Sequence, residues 1–84
     1  MKCTLLGFKS LDFKNNEGEK VEGIKLFLAY PDEKTVGTEC DAKFINQKVF
    51  DSFGISYEAL ADTVDTVINV EFGMKNKVIG LNLL

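Results

Sequence analysis

Residues 44–72 read FINQKVFDSFGISYEALADTVDTVINVEF, and their hydrophobic period changes twice. Phe44 and Ile45 stand side by side and break the alternation that runs up to Lys43. Val49, Phe50, Phe53, Tyr57, Leu60 and Ala61 then recur at spacings of three and four, which fits helical turns. Gly54 interrupts that run, so two short helical pieces are predicted rather than one long helix. Ser56 is placed to cap the second piece, with Glu58 in its first turn, where the helix dipole favours an acid. From Val64 to Phe72 the alternation returns, with Val64, Ile68, Val70 and Phe72 on one strand face.

Three β-runs lie before this segment. The first, Lys2–Lys14, alternates through Cys3 and Leu5 until Gly7, where a bulge or bend is expected. Asn15-Asn16-Glu17-Gly18 is a turn signal. The second, Glu19–Tyr30, points Ile24, Leu26, Leu28 and Tyr30 one way and Lys25, Phe27 and Ala29 the other. The first set is the natural core face, which leaves Phe27 beside Lys25 on the opposite side. Pro31-Asp32-Glu33-Lys34 turns the chain into a third strand over Thr35–Phe44. After residue 72, the loop Gly73–Lys77 leads into a last strand over Val78–Leu83, apolar on both faces. The order of three strands, a short helical stretch and two strands predicts a mostly β fold. It is the order of a five-stranded OB-like Greek-key barrel with a helical segment between strands 3 and 4, residues 1–84 forming one domain.

Phe13, Phe50, Phe53 and Phe72 are expected in the core, with Tyr30 at its edge. Cys3 and Cys40 are two lone cysteines without CxxC spacing, expected as buried free thiols. The chain has no histidine, arginine or tryptophan. The usual neutral-pH base and the bidentate phosphate clamp are therefore missing, and with only two separated cysteines no zinc site is expected. No phosphate-loop, dinucleotide or nucleophile-elbow motif occurs. No enzyme activity, cofactor or metal is expected. The opening MKCTLLGFK is too short and too interrupted for a secretion-signal core, and no apolar run spans a bilayer, so a cytoplasmic protein is expected.

The net charge of −3 is unevenly spread. Residues 49–71 hold five acids and no lysine, residues 1–48 hold eight of each, and residues 72–84 hold Lys75 and Lys77 with no acid. The remaining surface can thus be locally positive, and local potential steers ligands more directly than net charge. Sequence-tolerant binding of single strands needs lysines for phosphates and flat rings for bases. The candidates are Lys25 with Phe27, Lys43 with Phe44, and Lys9 with Phe8, together with Tyr30 and the loop lysines Lys34, Lys75 and Lys77.

Gly7-Phe8-Lys9 with Asp12-Phe13, Gly23 with Leu26-Phe27, Tyr30-Pro31, Gly37 and Asp41-Ala42-Lys43-Phe44 resemble small proteins of phages and mobile elements of Gram-positive bacteria. Size and strand order also resemble the helix-destabilising, gene V type ssDNA-binding proteins of filamentous phages. That resemblance implies an OB-like homodimer coating single-stranded DNA, with the contacts falling on Lys25, Phe27, Lys43 and Tyr30. The chain departs from that family in lacking arginine and in carrying an acidic helical insert. A second reading is a protein-interaction module that uses the acidic 49–71 segment or an exposed sheet edge.

Overall fold

The computed structural model describes residues 1–31 and 33–83. Asp32, in the turn expected after Tyr30, lies outside the described residues. The elements are β1 (Lys2–Lys14), β2 (Lys20–Tyr30), β3 (Glu39–Asn46), α1 (Gln47–Ser52), α2 (Tyr57–Asp62), β4 (Val67–Phe72) and β5 (Val78–Asn82). All five strands join one antiparallel sheet in the order β3-β2-β1-β4-β5. The expected mostly β content and the order of elements are present, but no ladder joins β3 to β5. The sheet described here is open, where a closed barrel was expected.

Local chemistry accounts for the breaks. Asn15 Oδ1 accepts hydrogen bonds from the backbone N–H of Glu17 (3.0 Å) and Glu19 (2.9 Å), and Gly18 sits at φ +80°, so the turn between β1 and β2 closes on itself. Asn46 caps α1 through Lys48 N (2.9 Å), and Ser56 caps α2 through Ala59 N (3.1 Å). Gly54, at φ +70°, separates the two helices as expected.

The core lies between the inner sheet face and the helices. Cys3 and Leu5 of β1, Ile24, Leu26 and Leu28 of β2, Ile45 of β3, Ile68 and Val70 of β4 and Val78 of β5 are buried there with Phe50 and Leu60. Phe50 stacks on Tyr57 at 5.5 Å between ring centroids and meets Phe53 edge-on at 6.4 Å. Burying a side chain of this size contributes about 1.5–3 kcal/mol.

Register decides which side each strand residue faces. Thr4 pairs with Ala29 and Leu5 with Leu28, but Gly7 pairs with Phe27, so Leu6 is an extra residue. This bulge falls where Gly7 interrupted the pattern. It reverses parity in β1: Cys3 and Leu5 point inward before it, whereas Phe8 packs inward after it.

Several expectations need correction. The third strand begins at Glu39 rather than Thr35 and runs on through the Phe44-Ile45 pair to Asn46. Gly37, at φ +96°, turns the chain first, and Val36 is fully exposed. Because Leu28 pairs with Asp41, the inward positions of β3 are odd-numbered, and Cys40 is exposed rather than buried. Phe13 is 49% exposed rather than in the core. β3 covers β2 only from Gly23 onward, so Asp12–Lys14 and Lys20–Glu22 project as a two-stranded arm that leaves Phe13 half-exposed. The fourth strand starts at Val67, three residues later than expected, and Phe72 is half-buried at the sheet margin.

Candidate nucleic-acid interface

Residues directly opposite one another in a ladder share a sheet face. On the outer face, Lys9 of β1 lies opposite Lys25 of β2, which lies opposite Phe44 of β3. The next row is Gly7, Phe27 and Ala42, and on the other side lie Leu11, Gly23 and Asn46, then Phe13 and Val21. These rows contain two lysines, three phenylalanines and no carboxylate. The acids of the same three strands, Asp12, Glu22, Glu39 and Asp41, all take the opposite parity. A chain of negative net charge therefore presents a lysine-bearing, aromatic surface on the β1–β3 part of the outer face, with Glu71 of β4 the carboxylate on the same parity farther along the sheet.

Phe27 is half-buried and sits between the two smallest side chains available, those of Gly7 and Ala42. Neither can cover a ring face. Above Gly7, the space that a Cβ would take has no atom within 4 Å. Lys25 Nζ lies 5.7 Å from the Phe27 centroid, so the ammonium and the ring form one patch. A cation–π contact at such an exposed site contributes about 0.5–1 kcal/mol.

Phe44 is 45% exposed, with its ring over Gly23. A Cβ at Gly23 would lie 2.6 Å from Phe44 Cζ and would clash with the Ile45 carbonyl oxygen. Only glycine lets that ring lie down on the sheet.

The other sequence candidates divide. Phe8 packs inward, stacked on Tyr57 at 6.4 Å between centroids, and offers no platform. Tyr30 and Lys43 share the inner parity and line the seam between β3 and the β4–β5 hairpin, opposite Phe72 and Asn76. Lys34 is exposed between β2 and β3, and Lys75 and Lys77 are exposed between β4 and β5. Of the eight candidates, the fold brings Lys9, Lys25 and Phe27 together on one face and Tyr30 and Lys43 together on the other. The small residues Gly7, Gly23 and Ala42, and the exposed Phe13, are parts of the outer face that the sequence did not mark. Counting by twos outward from Phe27 finds them once the bulge at Leu6 is allowed for.

The seam holds a cleft of about 300 Å³ lined by Met1, Tyr30, Asp41, Lys43, Phe72 and Asn76. Lys43 Nζ lies 3.1 Å from Asp41 Oδ2 and 5.8 Å from the Phe72 centroid. The hydrogen bond from Lys43, helped by the Ala42 N–H, holds the Asp41 carboxyl below the usual carboxylate range.

Asp51, Glu58 and Asp62 are exposed on α1 and α2, which pack against the inner face through Phe50 and Leu60. Among the described residues, no group of three or more Cys, Asp or Glu side chains could hold a metal ion, and no helix is long and apolar enough to cross a membrane. Comparison of the chain with protein-family models, with curated proteins and with solved structures gave no match.

Proposed function

We propose that this protein binds single-stranded DNA without sequence preference, on the outer face of β1, β2 and β3. One observation carries the reading: Phe27 stands beside Lys25 and Lys9 with only Gly7 and Ala42 flanking it in its row, on a part of the sheet face from which every carboxylate of β1, β2 and β3 is excluded. Rings stack on any base, and ammonium groups follow the phosphates, so neither arginine nor hydrogen-bond readout is required. The strand order supports an OB-like architecture, because pairing β3 with β5 would close this sheet into such a barrel. In that architecture the ligand lies across strands 2 and 3.

The test is titration of a labelled oligo-thymidine at several salt concentrations. Affinity falls as salt rises, with a log–log slope of about −0.7 per phosphate neutralised. Lys25→Gln and Lys9→Gln each flatten that slope by about 0.7. Charge reversal of Asp51, Glu58 and Asp62 on the helical side leaves the affinity within about twofold at moderate salt, where distant charges are screened. Absence of binding at low salt refutes the proposal.

A further inference from the structure

We propose that the seam between β3 and the β4–β5 hairpin is a second subsite, which takes one base of the same single strand after it passes over the β3 edge. The inference rests on the outer-face reading and extends it to the candidates that the outer face leaves aside. Tyr30 and Lys43 line the seam cleft, and Lys75 and Lys77 flank Asn76, which lines it too.

The path follows from the ladder. Phe27 pairs with Ala42, and β3 is the edge of the sheet, so among the described residues no further strand pairs beyond Ala42. Ala42 is exposed and raises no wall. Its chain neighbours, Asp41 and Lys43, point to the opposite side and line the cleft. A strand running from Phe27 past Ala42 therefore arrives next at Lys43. Adjacent strands are about 4.8 Å apart, so the crossing from β1 to β3 spans only about 10 Å and is filled by a few nucleotides. A longer oligonucleotide has to continue over the edge.

The cleft suits a base. Its volume of about 300 Å³ stands at the lower bound of small-ligand sites. Tyr30 and Phe72 offer rings, and the Asn76 amide and Asp41 carboxylate offer polar groups to a base edge. Lys43 serves the phosphate. Its ion pair with Asp41 is partly solvent-exposed, with the two side chains 24% and 41% accessible, and a pair so exposed adds little to stability. An incoming phosphate can take the place of the carboxylate.

The experiment compares a thymidine tetranucleotide with a thymidine dodecanucleotide, by amide NMR and by affinity. With the longer strand, the amides of Asp41, Lys43 and Asn76 shift together with those of Lys25 and Phe27. With the shorter strand, only the outer-face amides move. Tyr30→Leu and Lys43→Gln each weaken the dodecanucleotide about tenfold, the worth of one stacked base or one well-placed charge, and the tetranucleotide by less than about twofold. Lys43→Gln replaces a partly exposed side chain and keeps the fold if Tyr30→Leu does not. Seam amides unmoved by the dodecanucleotide while outer-face amides respond overturn this proposal alone. So does equal weakening of both lengths. If neither set of amides moves at low salt, the outer-face reading falls and the seam with it.

Discussion

Replacing Phe27 by leucine separates binding from folding, because the ring lies outside the core. Its neighbours in the row are Gly7 and Ala42, so no other ring can swing into its place. A base stacked on an aromatic side chain is worth about 1–3 kcal/mol, which is roughly 5- to 150-fold in affinity. Leucine keeps apolar contact with a base but loses the flat face. The expected loss is therefore near the lower end, about tenfold.

The folding cost is smaller. The substitution removes no buried core side chain and gives up the contact with Lys25, worth about 0.5–1 kcal/mol. Anisotropy of a labelled oligo-thymidine at low salt measures the first quantity, and urea unfolding measures the second. Phe27→Trp is the matching gain: a larger ring at the same half-buried spot between Gly7 and Ala42 holds or raises the affinity. Unchanged affinity in Phe27→Leu, with unchanged stability, would falsify the assignment of Phe27 as a platform.

Cys40 is exposed on the outer-face parity and Cys3 is buried, so a thiol reagent labels one cysteine per folded chain, and saturating oligo-thymidine slows that labelling. Equal reactivity of the two thiols in the folded protein contradicts the β3 register. Phe50→Ala empties the centre of the core and costs about 3–5 kcal/mol in urea unfolding; a loss below about 1 kcal/mol shows that the ring is not buried as described. Burial pushes the Cys3 thiol up, against a smaller opposite pull from the N-terminal ammonium. The folded thiol keeps its proton where the unfolded one ionises, so its contribution is whole below the ordinary thiol pKa of about 8.5 and is lost as pH rises beyond it. The unfolding midpoint of the native chain drops more steeply above about pH 8.5 than that of Cys3→Ala, and parallel profiles refute the link.

The sequence alone determined what depends on neighbours along the chain. Alternation in β2 put Phe27 opposite the core, Gly54 split the helical stretch, and Ser56 and the Asn15 turn stood where their side chains bond the adjacent backbone. Each of those results is settled within a few residues. The tertiary structure decided which of the other rings and thiols face water. The bulge at Leu6 turns Phe8 inward and places Lys9 opposite Lys25, and the pairing of Leu28 with Asp41 puts Phe44 and Cys40 on the outer face and Lys43 in the seam. Where β3 stops decides that Phe13 stays exposed, and the approach of the β4–β5 hairpin to the inner side of β3 forms the cleft. These outcomes hang on cross-strand register. Side chains alternate every second residue, so a slip of one position exchanges the two faces, and only the partner strand fixes that position.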